Sequence, residues 1–166
     1  MNLVFKVVSL KDGKRVSAFS PEHLEVTYPV GQWVSAPVGK LFAFRTFETA
    51  DVFQHDVESW QIWLAEADGI EPIIHSMCGV ARKMNLVIDF WADFWADKAL
   101  QRLQKPLFPE CFYLANVIPG TVVASRVRLL ERVISATHGL VFNRLTKELG
   151  CGLYEGETGE TLGRPN

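Results

Sequence analysis

At 166 residues the chain is long enough for one domain with a sizeable buried core, and no second domain is called for. Apolar residues at 48% against 22% charged exclude a disordered chain, and a net charge of −2 argues against a dedicated nucleic-acid binder, which is usually basic. No apolar run is long enough to span a bilayer, and Lys6 breaks the N-terminal one too early for a secretion signal.

The first third of the chain has β character. Residues 3–10 are rich in Val and Phe, and Asp12-Gly13 is a pair that accepts the positive φ angles of a two-residue hairpin, so 15–20 is expected to return as a strand. Residues 24–30 alternate apolar and polar positions and predict a half-buried strand; Gly31 allows a turn, and 33–35 reads as a short strand. After Pro37 and Gly39, the apolar run 40–44 is a further strand. Thr46 is a good helix N-cap, with Glu48 in the first turn and Ala50 and Phe53 as a narrow apolar stripe, so a short helix ending at His55-Asp56 is expected. In 59–67, Trp60, Ile62 and Leu64 fall on one face and Gln61, Trp63 and Ala65 on the other, the pattern of a strand covered on both sides.

Residues 86–104 repeat the tetrad Phe-Trp-Ala-Asp twice in succession. A helix turns by about 100° per residue. It would therefore gather Phe90, Trp91, Phe94 and Trp95 on one arc, Ala92, Ala96 and Ala99 on a second, and Asp89, Asp93 and Asp97 on a third. An extended strand would mix aspartates and tryptophans on one face, so a long helix is expected here. Its aromatic arc packs on the sheet or meets a partner, since aromatics are enriched at interface centres. The aspartate row has no histidine or glutamate motif beside it, and a solvated face suits it better than a metal cage.

Pro119-Gly120 meets the requirements of a type II turn, and its flanks, 111–118 and 121–130, are β-branched and aromatic enough to form the two strands of a hairpin. On the second of these, Val123, Val127 and Leu129 would face the core, with Arg126 and Arg128 opposite; a helix over 125–134 is the competing reading. Val141, Leu145 and Leu149 recur every four residues and predict a short C-terminal helix over 140–149, closed by Gly150. Residues 151–166 are rich in Gly, Glu and Thr and read as a tail, disordered from 155 onward.

Chemistry-bearing motifs are sparse. His75 and Cys78 have the spacing of two ligands on one helical turn, and Cys111, Cys151 or His138 would have to join them in space. Buried thiols and an incidental histidine explain the same residues. Cys151, between two glycines, is the best candidate for an exposed thiol but has no evident base. The odd number and wide spacing of Cys78, Cys111 and Cys151 suit reduced thiols and a cytoplasmic location. There is no nucleophile elbow, phosphate-cradling loop or H-E-x-x-H motif. Arg126, Arg128, Arg132 and Arg144 form a candidate strip for an anionic ligand, diluted by Glu131 and Glu148.

The segment 5–53 resembles small uncharacterised proteins of bacteria and their phages, through Tyr28-Pro29-Val30-Gly31, then Gly39-Lys40-Leu41-Phe42-Ala43-Phe44, then Ala50 and Phe53. Residues 119–130 resemble the closing strand of such proteins. The resemblance covers under half the chain and implies a compact α+β module of mobile-element or phage origin, with no activity attached. The order of strand, turn, strand and helix is also similar to small ADP-ribosyltransferase-like folds, whose NAD-binding and catalytic residues find no clear counterpart here.

The resulting expectation is a single α+β domain over 1–150: a mostly antiparallel sheet from 2–67 and 111–130, one long helix (86–104) packed on it, and a short C-terminal helix. The expected function is a non-enzymatic binding or assembly module, self-associating as a homo-oligomer or taking a protein partner, with neither membrane nor nucleic acid as a target. No cofactor and no metal are expected. The contact candidates are Phe90, Trp91, Phe94 and Trp95 together with Tyr28, Trp33, Trp60 and Trp63. The alternative is a small enzyme or small-molecule binder with a cleft near Tyr28 and Trp33, using His75, Cys78 or the aspartate row as polar groups.

Overall fold

A computed structural model of the chain describes residues 2–18, 20, 24–54, 57–73, 75–78, 113–116 and 118–149. The segment 86–104, with its doubled tetrad, and the tail 151–166 lie outside the described residues.

The strands are β1 (Asn2–Lys11), β2 (Lys14–Ser17), β3 (Trp33–Ser35), β4 (Leu41–Phe44), β5 (Trp60–Asp68), β6 (Glu71–Pro72), β7 (His75–Cys78), β8 (Tyr113–Asn116), β9 (Thr121–Ala124) and β10 (Arg126–Arg132). The helices are α1 (Phe47–Gln54) and α2 (Ala136–Leu149). Every strand pairing among the described residues is antiparallel.

Asp12 (φ 49°) and Gly13 (φ 74°) both take the left-handed conformation, and β2 returns along β1 with Lys11 opposite Lys14. β1 is the spine. One edge pairs with β5 from Asn2↔Ala67 to Ser9↔Trp60. The other edge is shared, with β4 meeting it at Phe5↔Phe44 and β2 taking over from Val8. Lys6 and Val7 sit at the gap between these two partners.

β9 and β10 are separated only by Ser125, yet β9 pairs with β4 while β10 pairs with β5, on opposite sides of β1. Two long bent strands make this possible. β5 continues through Gly69 into β6, which pairs with β9, and the Ser125 N–H donates to the Asp68 carbonyl at the bend. The pairing path β1–β4–β9/β10–β5–β1 therefore returns to its start, and the sheet curls into a narrow barrel. At the crossing of the bends Gly69 has φ +63°, and a Cβ there would lie 2.9 Å from Ser125 Cβ. Gly69→Ala is expected to cost about 1–2 kcal/mol from the φ alone. Ser125→Gly in the same chain should restore only the steric part, as read from urea midpoints of the single and double variants.

The curled sheet separates two cores. Inside lie Val4, Val8, Tyr28, Leu41, Trp63, Val122, Val127 and Leu129, with Ala43, Ala65, Ala67 and Ala124 among them. Small side chains fit such a narrow interior. Outside, Leu3, Phe5, Val7, Phe44, Ile62 and Leu64 pack against Phe47 and Ala50 of α1 and Phe142 of α2. The β5 alternation is thus as expected, with Ile62 and Leu64 outside and Trp63 and Ala65 inside.

Both helices have local start signals. Thr46 Oγ1 accepts the Thr49 N–H at 3.3 Å, and Ser135 Oγ accepts the His138 N–H at 3.2 Å.

Several expectations need correction. One long helix on the sheet and a short C-terminal one is not the arrangement among the described residues: the helical layer there is α1, of 8 residues, with α2, of 14, both on the outer core. The C-terminal helix begins four residues before 140, because Ser135 caps it and Gly139 is taken into its first turns. Residues 24–30 form no regular strand; Thr27 makes a single bridge to Val16. Pro119-Gly120 is the turn expected, with Gly120 at φ 89° and the Thr121 N–H on the Ile118 carbonyl, but its flanks do not pair with each other. β8 pairs with β7, and β9 with β4 and β6. Residues 126–132 are a strand, which removes the helical alternative over 125–134.

Candidate functional site

Two places on this frame bring chemistry-bearing side chains together. The first is on the outer face, beyond the helices. β3, β10 and β5 run side by side with Trp33 opposite Arg128 and Arg128 opposite Glu66, and one step along, Arg126 opposite Asp68. Residues opposite one another share a face, so one indole, two guanidiniums and two carboxylates form a continuous band. The guanidinium carbons of Arg126 and Arg128 lie 4.7 and 5.1 Å from the Trp33 ring centre. Arg126 donates Nε and Nη2 to Asp68 Oδ2 at 2.9 and 2.8 Å, and Arg128 Nη2 pairs with Glu66.

The Arg126–Asp68 pair is half exposed and adds little stability, about 0–1 kcal/mol for pairs of this kind. Its effect is on geometry: the carboxylates hold the guanidiniums, and the guanidiniums hold the indole. They also cancel the charge, so the arginine strip expected from sequence presents little net positive field at Arg126 and Arg128. Trp33 is 37% exposed at the end of the sheet, and β3 pairs on one side only among the described residues.

The second place is inside the barrel. Lys6 lies between Val4 and Val8 on the inward face of β1, opposite Trp63, and is 7% exposed. Its Nζ donates to the Phe42 carbonyl at 2.6 Å and stands 5.2 Å from the Tyr28 ring centre. Tyr28 is 1% exposed, and its hydroxyl has no hydrogen-bond partner among the described residues. The Tyr28 N–H donates to the Arg15 carbonyl, which holds the two residues side by side. The Arg15 guanidinium lies over Trp63 at 4.7 Å, with a buried, unpartnered Nε. Trp63 Nε1 in turn donates to Gln61 Oε1 at 3.1 Å.

Among the sequence candidates, the structure brings Tyr28 and Trp63 together in the inner core and sets Trp33 apart on the outer face. Trp60 belongs to the outer core, stacked on Phe53 with ring centres 5.6 Å apart. Phe90, Trp91, Phe94 and Trp95 lie outside the described residues, as do Cys111 and Cys151. His75 and Cys78 are on strand β7 and not on the helical turn that their spacing would need as ligands. His138 Nε2 lies 3.4 Å from Glu131 Oε1, and its ring is tilted against that of Phe142. No cluster of metal-ligating side chains occurs among the described residues.

Comparison with protein-family models, curated protein sequences and solved structures returns no significant match. Sequence reading passed over Lys6 and Arg15. The signal was present: Lys6 is the one charged residue in an otherwise apolar stretch, at a position whose neighbours two residues away are both valines. A polar residue at a core-facing position stands out only once the facing direction is known.

No helix among the described residues is long and apolar enough to cross a membrane.

Proposed function

We propose that the protein is a non-enzymatic binding and assembly module of the cytoplasm that docks a protein partner, first of all a second copy of itself, at the sheet edge built by Trp33. We further propose that it shares a mobile-element or phage origin with the small bacterial and phage proteins that its 5–53 segment resembles. The observation that carries the docking reading is Trp33 itself. A tryptophan on an exposed terminal strand, flanked by two ion-paired arginines, loses less freedom on binding than an unsupported one. Tryptophan and arginine are also the residue types that dominate the energetics of protein interfaces. The edge of β3 that has no partner among the described residues offers backbone donors and acceptors beside that anchor, as strand addition requires.

Sedimentation of the full chain over a range of concentrations tests this. The wild type should pass from monomer to dimer, and Trp33→Ala should weaken the association by about 2 kcal/mol or more if Trp33 is an interface anchor. A wild type that stays monomeric at every concentration, or a Trp33→Ala chain that dimerises as before, removes this edge as the self-association surface.

A further inference from the structure

We infer that the end of the barrel where the half-buried Arg15 covers Trp63 is an oxyanion-binding site, in which Lys6, Arg15 and Tyr28 take the carboxylate or phosphate group of a small ligand. This site is separate from the docking edge and does not depend on it. An inward-facing lysine is costly, since removing an ammonium from water carries a penalty of several kcal/mol, about that much even after relaxation, unless an opposite charge compensates it. Among the described residues no carboxylate meets Lys6; its only polar contact is the Phe42 carbonyl. An ammonium has three N–H donors, so hydrogen-bonding capacity is left over.

The neighbouring groups have the same excess. The Tyr28 hydroxyl and the Arg15 Nε are both buried and unpartnered, and no carboxylate among the described residues pairs with Arg15. Lys6 approaches the Tyr28 ring, Tyr28 is hydrogen-bonded along the backbone to Arg15, and Arg15 covers Trp63, which stands opposite Lys6 across β1 and β5. These four residues form a closed circuit. It carries two positive charges and several unused donors, and the neighbouring amide acceptor, Gln61 Oε1, is already engaged by Trp63. A buried water would satisfy the hydroxyl but would leave the charge unbalanced. An oxyanion supplies both acceptors and charge.

If the lysine is kept for a ligand, it should be a liability without one. Lys6→Met keeps a chain of similar length without the charge, and its thermal midpoint in chloride alone is expected at or above that of the wild type. The binding test titrates the full chain with sodium phosphate and, separately, sodium acetate, against sodium chloride at equal ionic strength. Thermal midpoint and tryptophan emission are followed. Phosphate or acetate should raise the wild-type midpoint beyond chloride, and Lys6→Met should weaken that response by about tenfold or more, the loss typical of one charge-assisted hydrogen bond. Tyr28→Phe removes a single oxygen and keeps the ring, so it reports on the site even if Lys6→Met fails to fold. A stronger response to phosphate assigns a phosphorylated ligand, and a stronger response to acetate a carboxylate. Equal responses in wild type and Tyr28→Phe, or no response beyond chloride in the wild type, overturn the proposal.

Discussion

Phe5→Ala is expected to remove about 3–5 kcal/mol of stability, the range for truncating a large buried aromatic. Phe5 is fully buried at the middle of the outer core. It lies opposite Leu64 on one side and Phe44 on the other, and its ring meets Phe47 of α1 edge-on with centres 6.2 Å apart. The side chain thus ties the spine strand to both neighbouring strands and to the helix above. Alanine leaves a cavity that the strands cannot close, because their backbone pairing fixes their separation. Urea denaturation should show the midpoint falling with an unchanged slope. Val52→Ala on the exposed side of α1, where Val52 is 61% accessible, is the control and should stay within about 0.5 kcal/mol. Equal small losses from both variants would mean that α1 is not seated on this face.

Gly139→Ala, by contrast, adds a single methyl group and is expected to cost about 3 kcal/mol, the upper end for overpacking a tight contact. On an open helix the same change would stabilise by about 1 kcal/mol. Here a Cβ would fall within 2.7 Å of Phe47 Cδ1, with other ring carbons closer still. Phe47 cannot turn away easily, since Phe5 stands against its other side. The helix must then move off the sheet, dragging Phe142 with it. Pairing Gly139→Ala with Phe47→Leu should give a loss well below the sum of the two single losses, because a smaller side chain admits the methyl. Strict additivity in this double-mutant cycle would contradict the close helix–helix approach.

These two variants also show where sequence reasoning succeeded and where it stopped. Phe5 is recognisable as core from its place in an apolar strand. Gly139 is not, because near the start of a helical pattern a glycine reads as a break. Its partner, Phe47, is far away in the chain, and only their contact explains the missing side chain. Trp33 and Trp60 look alike in sequence, each a tryptophan at the start of a strand. One ends on an exposed edge and the other under α1, because β3 is last in the sheet and β5 is next to its spine.

Taken by itself, the sequence determined what depends on a few neighbouring residues. The Asp12-Gly13 and Pro119-Gly120 turns follow from φ requirements, the start of α1 from the hydroxyl of Thr46, and the two faces of β5 from alternation between Trp60 and Ala67. The tertiary structure alone decided which strands pair, that β5 and β9–β10 bend at Gly69 and Ser125 to curl the sheet into a barrel, and that Lys6 and Tyr28 are buried inside it with the half-buried Arg15 over Trp63. The reason is that strand pairing uses backbone N–H and C=O groups, which are nearly the same in every residue and carry no label for their partner. That choice is made by the burial of both faces of the whole sheet at once, a condition no short stretch of this chain expresses.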